Sequence, residues 1–193
     1  MKLYLVRHTR LSIESGICYG QADVDVAPGF HDEVAAIRTK LSGIKPVNRA
    51  FDGFYTSPLQ RCHKLADALG YGEAVADERL KELNFGDWEL QQWDAIPRPV
   101  FDRWASDYAH SSPPNGETFA DLHQRARNFV EELRQRHAGQ DVLVVTHGGL
   151  IRALLADVLN MPLKGLFRFE VDYGSVTQLS LEGEIPRIGF VNR

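Results

Sequence analysis

DVLVVTHGG, residues 141–149, holds an unbroken apolar run, Val142 to Val145, that ends in Thr146-His147 and two glycines. No polar residue alternates with the apolar ones, so a strand here must be covered on both faces, the pattern of a central parallel strand. LIRALLADVL (150–159) continues with helical spacing, so a helix follows the strand directly. Near the start of the chain, LYLV (3–6) is a second such run, and it leads straight into Arg7-His8-Thr9-Arg10.

Between these strands the sequence alternates in the same way. FHDEVAAIRTKL (30–41) sets Phe30, Val34, Ile37 and Leu41 three or four apart, which predicts an amphipathic helix. FDGFYTSP (51–58) reads as a short strand and turn. Ser57, Pro58 and Gln60 read as N-cap, first-turn proline and capping-box residue of a helix with Leu59, Cys62, Leu65 and Leu69 on one face. Thr118 and Asp121 cap the longest helix, which carries Phe119, Leu122, Ala126, Phe129, Val130 and Leu133 to about Gln135. FRFEVD (167–172), SVTQLSL (175–181) and IGFV (188–191) predict strands, at least one of them antiparallel and nearer the sheet edge. The expected architecture is a three-layer α/β/α sandwich with a mostly parallel central sheet. Residues 81–116 break the pattern with three tryptophans, PRP and SSPPNG. They predict a covering insertion within a single domain spanning 1–193.

The bulk properties narrow the function. The chain has 193 residues, 44% hydrophobic and 25% charged, with a formal charge of −4, so nothing pulls the whole molecule toward nucleic acid or an anionic membrane. Cys18 and Cys62 match no metal or redox spacing and suit a reducing compartment. MKLYLV is too short, and too soon followed by charge, for a signal segment, and no apolar stretch reaches membrane-spanning length. A cytoplasmic protein is expected, with monomer and homodimer both open.

In sheets of this kind ligands sit at the carboxyl ends of the strands. Both Arg7-His8 and Thr146-His147 fall there. An imidazole flanked by arginines is electrostatically poor unless an anion lies between them. Arg7 and Arg61 offer planar forks for paired anionic oxygens, Arg61 near a helix start where backbone amides favour an anion. Arg10 and Arg152 are weaker candidates for the same rim. A histidine can act as nucleophile or base, and a carboxyl is wanted as proton donor. From spacing alone Glu78, Glu82, Asp87 and Glu89 are nearly indistinguishable, although Leu83 and Phe85 favour partial burial of Glu82. No HxxxH or CxxC pattern offers a metal site. Gly16-Ile-Cys-Tyr-Gly20 is a glycine-bounded loop able to arch over a ligand.

VRHT (6–9), SPLQRC (57–62), KELNFGDWE (81–89) and VVTHGG (144–149) resemble, in order, the four blocks of the histidine phosphatase (phosphoglycerate-mutase-like) superfamily. The resemblance implies that His8 is the nucleophile and Arg7 and Arg61 the phosphate clamp. It makes Glu82 the proton donor and His147, protonated, a phosphate ligand along with Gly148. It further implies a metal-independent phosphatase without cofactor, taking a small phosphomonoester and releasing inorganic phosphate. GICYGQADVDV (16–26), FGDWELQQWDAI (85–96) and PPNGETFADL (113–122) resemble the α-ribazole-5′-phosphate phosphatase group within it, which serves cobalamin assembly. A general sugar-phosphate or small-phosphomonoester phosphatase is the alternative, ahead of a phosphoglycerate mutase or an inactive phospho-ligand module. Thr9, Leu11 and Glu14 depart from the superfamily's Gly, Thr and Asn. That leaves Thr9, Arg10, Glu14, Cys18, Tyr19 and Gly20 as a possible substrate loop.

Overall fold

The computed structural model describes residues 1–45 and 50–193. Its strands are β1 (Lys2–Arg7), β2 (Gly53–Thr56), β3 (Val75–Ala76), β4 (Asp141–Thr146), β5 (Val176–Ser180) and β6 (Arg187–Phe190). Its α-helices are α1 (Phe30–Ser42), α2 (Gln60–Leu69), α3 (Arg98–Ser106), α4 (Phe119–Arg136) and α5 (Gly148–Val158). The strands form one sheet in the order β3-β2-β4-β1-β5-β6. The first four run parallel, β5 lies antiparallel to β1, and β6 antiparallel to β5. This is the mostly parallel α/β architecture that the alternating pattern predicts.

The apolar runs of β1 and β4 look continuous because each strand feeds two cores. Leu3, Leu5, Val142 and Val144 point into one cluster with α4 and α5. Tyr4, Val6, Leu143 and Val145 point into another with α1 and α2. Each fully buried Val or Leu stabilises the fold by about 1.5–3 kcal/mol. The register sets Arg7 opposite Thr146, so the residues that follow, His8 and His147, leave the sheet side by side.

Several local expectations hold. Thr118 and Asp121 form a reciprocal capping box, with Thr118 Oγ1 accepting from Asp121 N at 3.0 Å and Asp121 Oδ2 from Thr118 N at 3.1 Å. Trp88, Trp93 and Trp104 pack together, with the Trp88 and Trp104 rings 5.5 Å apart. Two expectations need correction. Helix α2 starts at Gln60 with Leu59 as N-cap and no side-chain cap. Ser57 keeps only a long cap-type contact, its Oγ accepting from Leu59 N at 3.4 Å, and its shorter bond, 2.8 Å, is to His147 Nε2. FRFEVD is not a strand: a 3-10 helix covers Leu163–Arg168 and irregular backbone follows. β5 already occupies the edge of β1 where that segment would pair, and the carbonyls of Phe169 and Val171 accept from Arg152 and Arg7 instead.

Candidate active site

His8 and His147 lie on one rim, ring centroids 5.2 Å apart. His8 is buried, and its Nδ1 is 2.8 Å from the carbonyl of Thr9. A carbonyl can only accept, so the Nδ1 proton is fixed there and Nε2 carries the lone pair. Burial first, then the charges of Arg61 and Arg7, hold the His8 pKa well below its ordinary value, against the opposing pull of the Thr9 carbonyl. Its free-protein form is a neutral imidazole.

Arg61 Nε donates to His147 Nδ1 at 3.3 Å, which leaves Nε2–H to donate to Ser57 Oγ. Burial, Arg61 and His8 push its pKa well below the usual histidine range. Both ring nitrogens are thus engaged, Nδ1 by Arg61 and Nε2 by Ser57. Cys62 Sγ packs against the same ring at 3.5 Å.

The two arginines supply the positive field. Arg61 is fully buried, and donates also to the carbonyls of Ala22 and Gly20. Among the described residues its donors meet only His147 and these two backbone carbonyls, which leaves a buried cation without a carboxylate partner. Arg7 Nη1 donates to Val171 O at 2.6 Å and its guanidinium sits 3.9 Å from the centroid of the Tyr173 ring. Among the described residues its buried Nε has no hydrogen-bond partner, and neither has Thr9 Oγ1. A Cβ on Gly148 would stand 3.3 Å from Arg7 Nε and 2.9 Å from Arg152 Nη1, so glycine there admits both guanidiniums to the start of α5.

The acids, ambiguous in sequence, separate clearly in space. Glu82 accepts from Leu83 N and Gly149 N, each at 2.9 Å, and lines the cavity beside His8. Arg125 donates to the carbonyls of Arg79, Lys81 and Glu82, fixing the backbone that carries it. Glu78 is exposed and paired with Lys81, and Asp87 is exposed and bound to Asn115. Glu89 accepts from the backbone amides of Gln21, Ala22 and Phe85, so it ties down a loop.

The cavity holds about 210 Å³, with Arg7, His8, Tyr19, Glu82 and Arg152 on its polar side and Ile17, Phe85, Trp93, Phe119 and Phe167 on its apolar side. The substrate-loop expectation is only partly met. Tyr19 reaches the cavity and Gly20 gives its carbonyl to Arg61; a Cβ on Gly20 would lie 2.0 Å from Leu83 O. Cys18 instead points into the core, where its thiol pKa is pushed up to about 12 by burial. Arg10 is 70% exposed and pairs with Glu33. Glu14 is exposed on a neighbouring surface cleft. Arg152, a weaker candidate in the sequence, lines the cavity together with Phe167, and Tyr173 lies against Arg7; the last two carry no signal in the sequence. Arg152 follows Gly148 by one helical turn and leans back toward the N-terminus of α5, a periodicity signal that HGGLIR did contain.

A family model described as "Histidine phosphatase superfamily (branch 1)" matches residues 3–193. The chain belongs to the histidine phosphatase superfamily. It is a phosphatase of that superfamily, with relatives that differ in substrate. It is 29% identical to the adenosylcobalamin/α-ribazole phosphatase of Escherichia coli K12, over 100% of this chain and 96% of that one. It is 27% identical to phosphoserine phosphatase 1 of Hydrogenobacter thermophilus, over 94% and 87%. The crystal structure of the α-ribazole phosphatase from Shigella flexneri superposes with a TM-score of 0.86 at 25% identity, covering 100% of this chain and 96% of that one.

Proposed function

We propose that this phosphatase hydrolyses a small phosphomonoester in two transfers through a phosphohistidine on His8. The observation that carries the proposal is the His8 tautomer: Nδ1–H tied to Thr9 O, and Nε2 left with its lone pair among two arginines. Nε2 attacks phosphorus, forming an N–P bond as the P–O ester bond breaks. Glu82 gives a proton to the departing oxygen, then takes one from the water that cleaves the N–P bond and releases inorganic phosphate. Arg7 and Arg61 hold the non-reacting oxygens, Gly148 and Thr9 add donors at the start of α5 and the end of β1, and Arg61 and Ser57 orient His147. Catalysis here is positioning and charge stabilisation. Residues 81–116 act as the cover, within one catalytic domain.

For the leaving group we propose α-ribazole, a planar aromatic nucleoside, released in cobalamin assembly. The wall of Phe85, Trp93, Phe119 and Phe167 supports it, as do the relatives named for that substrate. A second reading rests on Arg152, whose Nε donates to Phe169 O while its Nη groups have no acceptor among the described residues. A carboxylate on the leaving group would pair with them, as an ester such as phosphoserine offers.

The test has two parts. Brief mixing with labelled ester in EDTA, quenched in alkali, leaves label on His8, and His8→Ala abolishes label and turnover. Ordinary turnover by His8→Ala overturns the mechanism. A kcat/KM comparison of α-ribazole 5′-phosphate with phosphoserine and hexose phosphates then assigns the leaving group. A tenfold or greater lead for α-ribazole 5′-phosphate is expected, and a lead for phosphoserine replaces it with the second reading.

A further inference from the structure

Two tyrosines of the site, given no part in the chemistry so far, join its two arginines. Tyr173 presents its ring to the Arg7 guanidinium at 3.9 Å and lies 5.5 Å from the His8 ring. Its hydroxyl is hydrogen-bonded to that of Tyr19. Tyr19 in turn faces Arg61, whose guanidinium carbon is 5.7 Å from its ring centroid. The result is a continuous path, Arg7–Tyr173–Tyr19–Arg61, running beside the nucleophile. The backbone beneath Tyr173 is fixed. Gly174 N donates to the carbonyls of Arg7 and His8, and Asp172 N to Asn192 Oδ1. Gly174 adopts φ 64°, a left-handed turn that carries the chain past Tyr173 into β5.

The physical need is plain. Arg7 has a long side chain with several rotors and carries its charge near another guanidinium, so it would spread over many rotamers if only its Nη1 contact with Val171 held it. An aromatic face attracts the cation without neutralising it, which leaves its full charge for an anion. A carboxylate in that place would orient Arg7 equally well but would compete with phosphate. Tyr173 therefore does what an acidic partner could not.

We infer that Tyr173, anchored by Tyr19, is a positioning residue that holds Arg7 in the geometry that receives phosphate. The inference rests on the proposed role of Arg7 as a phosphate ligand.

Binding of inorganic phosphate, measured by isothermal titration calorimetry, tests it without requiring turnover. Tyr173→Leu weakens phosphate binding by roughly five- to thirtyfold, the range of a partly to fully desolvated cation–π contact. Tyr173→Phe keeps the ring and loses only its anchor, as does Tyr19→Phe. Each weakens binding by roughly two- to tenfold, the range of one hydrogen bond, and the double variant is no worse than either. With Arg7→Ala in place, Tyr173→Leu has no further effect, which a merely structural role would not produce. Should Tyr173→Leu fail to fold, the two phenylalanine variants and their double carry the test. An Arg7→Ala variant that binds phosphate normally refutes the underlying assignment of Arg7. Normal weakening by Arg7→Ala overturns the inference alone if it comes with a silent Tyr173→Leu, or with additive Tyr19→Phe and Tyr173→Phe losses.

Discussion

Gly149→Ala separates function from stability at one carbon atom. A Cβ built on Gly149 would stand 2.3 Å from Glu82 Oε1, 3.1 Å from Cδ and 3.3 Å from Oε2, where ordinary contact begins at 3.4 Å. The carboxylate must therefore retreat by about 1 Å, a displacement that can cost on the order of 10²-fold in rate when the group moved is a reacting one. Folding has little to lose. Glu82 is the end of a flexible side chain, Gly149 lies in the first turn of α5, and alanine favours a helix over glycine by up to about 1 kcal/mol. That gain offsets much of the lost hydrogen bond from Gly149 N to Glu82 Oε2, a contact of 2.9 Å. The expected outcome is a kcat for an alkyl phosphate reduced by about 10²-fold, with the melting temperature close to that of the parent. The burst with p-nitrophenyl phosphate, whose leaving group needs little protonation, falls much less. A folded Gly149→Ala protein that turns over the alkyl ester at the parental rate would refute the role given to Glu82.

Two further predictions concern Glu82 and the paired histidines. Glu82→Gln slows alkyl esters by roughly 10²–10⁴-fold in the phosphorylation burst while sparing the aryl ester. Glu78→Gln, at an exposed ion pair, shows no leaving-group dependence in the same stopped-flow comparison. The second prediction concerns pH. His8 and His147 have folded-state pKa values held well below 6.5, so as pH falls through about 6.5 the unfolded chain takes up protons first. Stability is therefore complete above that pH and declines below it, by up to about 1.4 kcal/mol per pH unit for each histidine. Urea midpoints at pH 7.5 and 5.5 should show the drop, and His8→Asn should lessen it; an unchanged difference in that variant contradicts the assignment.

What the sequence reveals and conceals divides along the range of the interactions. The runs LYLV and VLVVT are intrinsic to their own residues, and strand ends in a parallel sheet put His8 and His147 on one rim without further information. Thr118 and Asp121 bond only to each other, so their cap is legible. Ser57 looks like a cap by the same local rule, yet a histidine 90 positions away claims its hydroxyl. FRFEVD alternates like a strand, but whether it pairs depends on which segment reaches β1 first in the sheet order. Glu82 and Glu89 differ only in what faces them, Gly149 for one and the Gln21–Ala22 amides for the other. Tyr173 lies outside every recognisable block because its partners, Arg7 and Tyr19, are set by tertiary packing.

The place of β1 in the sheet has a consequence for synthesis. Both of its hydrogen-bonding neighbours, β4 and β5, come after residue 140, whereas β1 ends at Arg7. A ribosome makes this strand long before either of its partners. Throughout elongation LYLV has two bare edges, and β2 and β3 can pair with each other but find no place on β1. The central ladder therefore assembles after most of the chain has been made, through contacts of high sequence separation that form slowly. Enzymatic competence and the burial of that strand arrive in the same late event, so a ribosome-stalled chain ending before β4 should be both inactive and a preferred client of holding chaperones.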